Sequence, residues 1–253
     1  MAETSAAVRA DDISVRWWEP VVAFAGGNAI AVAIATATLL GAIVRGMPLS
    51  DATALLTTNF MGIMGSIVLS DATILALGWW LVRRRTASPL AAYFPAVPMR
   101  AVLTAAAVGV VLSLAVNGLN QLIDSAGWVH FTDTATEQAM VPHTLVQFAV
   151  SIFAVTLLAP VVEEFVFRGL LMRWLLPFSR AVGAVAVSGC VFGVIHGQFF
   201  QHPGAQGLLL TVELAVIGAV LGLWVVRTRS LRTSFAMHAA FNLTATILSV
   251  IWP

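Results

Sequence analysis

Seven long apolar stretches constrain this 253-residue chain more than any other feature of its sequence. A helix that crosses a bilayer needs roughly 20 apolar residues, and each stretch provides about that number or more. The stretches cover residues 20–44, 57–82, 100–123, 143–175, 181–198, 206–226 and 233–251. The sequence therefore predicts an all-α, polytopic transmembrane helix bundle of about seven spans, in a single membrane-embedded domain over residues 1–253. Pro160 lies within the fourth stretch and could divide it, which would give eight helices.

The composition excludes a soluble globular domain, because hydrophobic residues make up 59% of the chain and charged residues only 10%. The net charge of +1 gives no indication of nucleic-acid binding. The single cysteine, Cys190, excludes an intrachain disulfide and lies in an apolar run that is typical of a packed structural residue. All thirteen basic residues are arginines, a bias that is typical of a GC-rich genome, and on this basis we expect a bacterial plasma-membrane protein.

The arginines also predict the orientation of the chain. Eleven of them lie in alternate connections: Arg9, Arg16, Arg83, Arg84, Arg85, Arg100, Arg173, Arg180, Arg227, Arg229 and Arg232. Cytoplasmic connections carry the excess of positive charge in membrane proteins, so we expect these connections and the amino terminus to be cytoplasmic. Tryptophans near the span ends, where their rings prefer the headgroup region, support the predicted boundaries: Trp17, Trp18, Trp79, Trp80, Trp128, Trp174, Trp224 and Trp252.

The fourth stretch carries two acids and a base at membrane depth, in the run Glu163-Glu164-Phe165-Val166-Phe167-Arg168. A charge at the bilayer centre costs roughly 2.5–3.5 kcal/mol on insertion scales, so such residues usually face the bundle interior and have a function. Glu164 and Arg168 are four residues apart and can form an ion pair on one helix face. Glu163 then remains as a sparsely solvated carboxylate and a candidate general base, and Pro160 can open the helix to water just before it. The alternative interpretation is a structural salt bridge with a spectator carboxylate.

Two histidines in later stretches have neighbours at helical spacing. Phe192 and His196 are four residues apart, as are His238 and Asn242, so each pair lies on one helix face. An imidazole and a carboxamide that project together can both donate hydrogen bonds to an oxygen that gains negative charge. Hydrogen bonding between neighbouring helices in lipid is the alternative role for each pair.

The three elements together are sufficient for acyl transfer to water, since one carboxylate and histidine can activate water while the other histidine and the asparagine stabilise an oxyanion. They also resemble the motifs of a known family. The stretches 163–168, 192–196 and 238–242 resemble the E-E-x-x-x-R, F-x-x-x-H and H-x-x-x-N motifs of the CPBP family, the CAAX proteases and bacteriocin-processing enzymes that are also called ABI proteins. The resemblance covers about residues 145–250, which we take as the motif-bearing core.

The resemblance implies an intramembrane endopeptidase that hydrolyses a peptide bond of a membrane-associated peptide or protein. The residues that it implies are Glu163 and His196 for activating water, His238 and Asn242 for the oxyanion hole, and Glu164, Arg168 and Phe192 as supporting residues. The family has been described both as metalloproteases and as glutamate proteases. Three ordered ligands, which zinc requires, could be forced from Glu163, His196 and His238, but the usual H-E-x-x-H spacing is absent. We expect a metal-free mechanism without a cofactor, and a bacterial origin argues against a prenylated natural substrate.

Three other interpretations remain open from the residues alone. A membrane transporter or proton relay also uses buried Glu and His residues, although the chain has no strong inverted repeat of the kind found in many transporters. A non-catalytic membrane partner protein could retain the motifs as packing elements. Ser234 and His238 have helical spacing for a serine protease dyad but lack a third, base-orienting group.

Several further polar residues have no assigned chemistry. Asp71 in the second span and Glu213 in the sixth are intramembrane acids with no neutralising residue nearby in sequence. Glu213 could serve a supporting or substrate-cavity role and Asp71 could lie near the membrane interface, and we expect neither of them to be directly catalytic. His130, His143 and His202 lie in outer connections or at span ends and are expected to be solvated.

Overall fold

Seven long helices build the computed structural model, which describes residues 14–86 and 88–251. The long helices are α1 (Trp18–Val44), α3 (Phe60–Arg83), α5 (Met99–Ser125), α7 (Leu145–Leu175), α8 (Ala181–Ile195), α10 (Ala205–Thr228) and α11 (Leu231–Ile251). Four short helices lie between them: α2 (Leu49–Thr57), α4 (Pro89–Tyr93), α6 (Ala135–Met140) and α9 (Gln198–Gln201). The described residues contain no strand.

The predicted fold class is confirmed, since all seven apolar stretches form helices that are long and apolar enough to cross a membrane. The protein is therefore an integral, multi-pass membrane protein. Arg9 and Trp252, which entered the predictions of orientation and span boundaries, lie outside the described residues. The alternative in which Pro160 divides the fourth stretch is wrong, because α7 continues through this residue.

The backbone of α7 accommodates Pro160 by changing its hydrogen-bond pattern. The segments Ile152–Leu158 and Glu164–Met172 are π-helical, with N–H groups bonded five residues back instead of four. In this pattern the Ala159 N–H donates to the Ala154 carbonyl. The next carbonyl, that of Val155, would receive the N–H of residue 160, which a proline does not have. The Val155 carbonyl is therefore free to accept a hydrogen bond from another helix.

Small residues bring neighbouring helices into close contact. A Cβ atom at Gly109 of α5 would overlap the backbone carbonyl of Met237 on α11. A Cβ atom at Gly193 of α8 would likewise overlap the Thr211 carbonyl on α10. Such close backbone approach between helices in lipid depends on small residues at the contact. These two contacts fix α8 and α11, the helices that carry the second and third motifs.

A polar cluster ties the connection between α5 and α7 to α10. Thr134 and Glu137 form a capping box at the start of α6. Glu137 Oε1 lies 3.1 Å from His202 Nε2, and His202 Nδ1 lies 3.0 Å from the Gln206 carboxamide. The prediction for His202 is wrong, because this residue is only 2% exposed. Burial raises the pKa of Glu137, but hydrogen bonds from Thr134 and His202 outweigh it, so the pKa lies below its ordinary value.

Candidate active site

A fully buried ion pair forms the base of the site. Glu164 Oε1 accepts a hydrogen bond from Arg168 Nη1 at 2.9 Å, and both side chains are completely shielded from solvent. Arg168 Nη2 also donates to the Gly218 carbonyl on α10 at 2.8 Å. Because a buried charge needs a partner and hydrogen bonds to be tolerated, this arrangement fixes the first motif against α10.

His238 of α11 reaches both acidic residues of α7. Its Nδ1 lies 3.0 Å from Glu164 Oε1, the same oxygen that receives Arg168. Its Nε2 lies 3.5 Å from Glu163 Oε2. The bond to Glu164 fixes the orientation of the imidazole ring, so the Nε2 atom is the one that faces Glu163.

Glu163 faces a second imidazole on its other oxygen. Glu163 Oε1 lies 3.9 Å from His196 Nε2, a distance too long for a direct hydrogen bond. His196 Nδ1 lies 2.6 Å from the Phe192 carbonyl and donates its N–H there, which leaves Nε2 as the acceptor of the neutral ring. Gly197, with a left-handed φ of 72°, ends α8 directly after His196. The Glu163 side chain is 23% exposed, whereas that of Glu164 is 0% exposed, so only Glu163 is accessible to water.

The Phe192 ring lies at the centre of these groups. The Arg168 guanidinium stacks over it at 4.5 Å, and the His196 and His238 rings lie 4.4 and 5.8 Å away. Phe192 is 1% exposed. It thus contacts both histidines and the arginine and holds their spacing by packing, with a cation–π contribution from Arg168.

Asn242 lies one turn from His238 but is turned toward the backbone of α7. Its Nδ2 donates to the Val155 carbonyl at 2.8 Å. This is the carbonyl that Pro160 leaves without an intrahelical donor. The structure thus brings Glu163, Glu164, His196 and His238 together directly, while Asn242 contacts the same helix two turns earlier.

Asp71 is a further acid beside the site and lies in the middle of α3. It is 8% exposed and lines one cavity together with Glu163 and His196. Glu213 instead accepts a hydrogen bond from Asn120 and lines a separate cavity of about 410 Å³ between α5, α10 and α11. Spacing within the sequence gave no signal for Asp71, because its neighbours in space belong to other spans.

Among the described residues, no group of three or more His, Cys, Asp or Glu side chains is arranged to hold a metal ion. The Nδ1 atoms of both histidines are already directed to a carboxylate or a backbone carbonyl. Each ring therefore directs its Nε2 atom toward Glu163.

Comparison with protein families identifies the segment that carries these residues. Residues 145–244 match the family model described as type II CAAX prenyl endopeptidase, Rce1-like. This segment belongs to the CPBP family. The CPBP segment extends from α7 into α11 and contains all three motifs, whereas α1 to α5 lie outside it. No curated protein and no solved structure matched the chain.

The CPBP segment and the polytopic helical fold together support a CAAX-type intramembrane protease in general terms. The family implies an intramembrane endopeptidase with a membrane-associated polypeptide as its substrate.

Proposed function

We propose that the protein hydrolyses a peptide bond of a membrane-associated polypeptide with a water molecule that Glu163 and His196 activate. The observation that carries this proposal is the position of Glu163, a partly exposed carboxylate with an imidazole Nε2 facing each of its oxygens. The fully buried ion pair of Glu164 and Arg168 lies beside it and holds this part of α7 in place, shielded from solvent.

The gap between Glu163 and His196 suits a bridging water. The two facing atoms are 3.9 Å apart. A water oxygen about 2.8 Å from both atoms would see them at an angle of about 90°. This angle allows the water to form a hydrogen bond with each of them. In the proposed reaction the water oxygen bonds to the carbonyl carbon while its proton passes to Glu163. The C–N bond then breaks as the leaving amine takes that proton.

His238 is the proposed main donor to the oxyanion. As an imidazolium it donates Nδ1–H to Glu164 and keeps Nε2–H for the site, and the cluster with Glu163, Glu164 and Arg168 is then electrically neutral. Asn242 commits one N–H to Val155 and retains a second that can point to the substrate oxygen. Preorganised donors of this kind typically contribute about 10²–10³ in rate each.

The proposed site lies deep in the bilayer and opens toward the cytoplasm. Glu163 is twelve residues before the end of α7 at Leu175, about 18 Å along the helix axis. Arg173 and Arg180, which flank that end, favour a cytoplasmic location for it by the positive-inside rule, and the same rule predicts a cytoplasmic amino terminus. A bacterial plasma membrane remains the proposed location.

The test uses the purified full-length protein in liposomes with a library of membrane-anchored peptides, and mass spectrometry to detect cleavage. Glu163→Gln preserves the shape of the side chain but removes the base, so we expect a loss of at least about 10²-fold in rate. Asp51→Asn, which changes an exposed acid on α2, is the matched control and should cleave like the wild type. Full activity of a folded Glu163→Gln variant would refute the proposed base.

Comparison of processed peptides in cells that carry the wild type or Glu163→Gln would then identify natural substrates. A product that appears with both proteins is not made by this site. Proton or solute flux through liposomes that contain the protein, without any cleavage, would favour the transporter interpretation instead.

A further inference from the structure

Asp71 is a buried acid that the reaction above does not use. It lies in the middle of α3, outside the CPBP segment. Its residue exposure is 8%, and its Oδ2 atom is buried without a hydrogen-bond partner among the described residues. A carboxyl oxygen without a donor in a membrane protein interior is costly, so its position calls for a partner that the protein chain does not provide.

The cavity that Asp71 lines connects it with Glu163 and His196. The cavity has a volume of about 170 Å³, which is enough for about five water molecules at ~30 Å³ each. Of the described residues that line it, Asp71, Glu163 and His196 are the titratable ones, and they come from α3, α7 and α8. Apolar residues form most of the remaining wall: Phe24, Ile74, Val162, Val166, Phe167 and Ile195.

The other polar side chains of the cavity are already bonded to each other or to the backbone. Ser70 Oγ donates to Asn28 Oδ1 at 2.8 Å, and Asn28 Nδ2 donates to the Phe24 carbonyl at 2.9 Å. Neither residue donates a hydrogen bond to Asp71 Oδ2, so water in the cavity is the available donor. Asp71 and Glu163 line this same cavity from two different helices.

We propose that Asp71 shares a proton with Glu163 through water in this cavity. Building on the function proposed above, the O–H bond of the attacking water breaks and its proton passes to the Asp71–Glu163 pair as the new C–O bond forms. The pair holds this proton until the C–N bond breaks and the leaving nitrogen takes it. Asp71 thus acts through Glu163 and does not contact the substrate.

Two physical features support a shared proton. Like charges in a small apolar space repel each other, so two carboxylates that face one cavity accept the proton of the attacking water more readily than one carboxylate would. His196, the third titratable group in the cavity, directs its Nδ1–H to the Phe192 carbonyl and so leaves an acceptor atom toward Glu163. A proton delivered to Glu163 therefore has both Asp71 and His196 as neighbouring acceptors.

Asp71→Asn in the full-length protein tests this proposal. We expect kcat to fall about 10- to 100-fold with KM nearly unchanged. The acid limb of the pH–rate profile should also shift, because the proposed pair loses one of its two carboxyl groups. Asp71→Glu, which restores a carboxyl group, should recover part of kcat. Asp51→Asn, which makes the same change at an exposed acid on α2, is the matched control and should stay within about twofold of the wild type.

A readout without catalysis separates this proposal from the proposed function. Infrared difference spectra during a pH titration detect the carbonyl stretch of protonated carboxyl groups. Asp71 should titrate at a different pH in wild type and in Glu163→Gln, and its band should be missing in Asp71→Asn. Equal titration of Asp71 in both backgrounds refutes the shared proton. If Glu163→Gln abolishes cleavage while folded Asp71→Asn keeps the wild-type kcat and acid limb, the role of Asp71 is refuted and that of Glu163 stands.

Discussion

The hydrogen bond from Asn242 to α7 should depend on Pro160 in a measurable way. Asn242 Nδ2 donates to the Val155 carbonyl at 2.8 Å. This carbonyl lacks an intrahelical donor because the π-helical pattern that ends at Ala159 would next use the N–H of residue 160. Asn242→Leu should therefore leave a carbonyl unsatisfied in the wild-type background. An alanine at position 160 would supply the missing N–H.

The magnitude follows from the cost of one unsatisfied group. A buried acceptor without its partner costs about 1–3 kcal/mol in proteins, and side-chain hydrogen bonds between helices in lipid average about 0.6 kcal/mol with a maximum near 1.7. We expect Asn242→Leu to lower the free energy of unfolding by about 1 kcal/mol. In the Pro160→Ala background the same change should cost much less, which gives a coupling energy close to 1 kcal/mol.

A double-mutant cycle in mixed micelles measures this coupling, with unfolding driven by a denaturing detergent and followed by circular dichroism. Asn117→Leu on α5 is the matched control, because Asn117 donates to the Ser113 carbonyl of its own helix. Its cost should not change with the residue at 160. If Asn242→Leu costs the same in both backgrounds within about 0.3–0.5 kcal/mol, the limit of additivity, the explanation of the Asn242 contact is refuted.

Two further predictions concern helix packing and the polar cluster. Gly109→Ala should destabilise the protein by about 1–3 kcal/mol in the same unfolding assay, because its Cβ would overlap the Met237 carbonyl. Gly118→Ala on the same helix is the control. Its Cβ meets no atom within 4 Å, so this change should be neutral or stabilising. The pKa of Glu137 in the folded protein lies below its ordinary value of 4.5. The ionised carboxylate therefore stabilises the fold at pH values above 4.5. This contribution is lost as the pH falls through the lowered pKa. Glu137→Gln should therefore unfold at a lower temperature than the wild type at pH 7, with a difference that shrinks below pH 4.5; a constant difference across this range would contradict the assignment.

Local spacing was enough to predict the elements of the fold and part of the site. Apolar length predicted all seven spans, because lipid imposes the same requirement on each one independently of its neighbours. The i, i+4 rule placed Glu164 beside Arg168 and Phe192 beside His196. In the structure the charged atoms of the first pair are 2.9 Å apart, and the ring centroids of the second pair are 4.4 Å apart. Each pair lies within a single helix, so no knowledge of helix packing was needed.

Contacts between spans could not be predicted from spacing. Asp71 faces Glu163 only because α3 packs beside α7, and nothing around Asp71 in the sequence indicates which way its side chain points. The bond from Asn242 to Val155 depends on the π-helical backbone of α7, whose hydrogen-bond pattern differs from the α-helix assumed for every span. The capping box of Thr134 and Glu137 is a local contact, but His202, the second partner of Glu137, comes from a distant connection.

The pairing of Glu164 with Arg168 within a single helix has a consequence for biogenesis. Chains are synthesised from the amino terminus onward, so α7 reaches the membrane before α10 and α11 do. Glu164 already has its counterion one turn away at that moment, which lowers the cost of placing either charge in hydrocarbon. His238 and the Gly218 carbonyl lie on helices that are made later. They then bind an ion pair that has already formed.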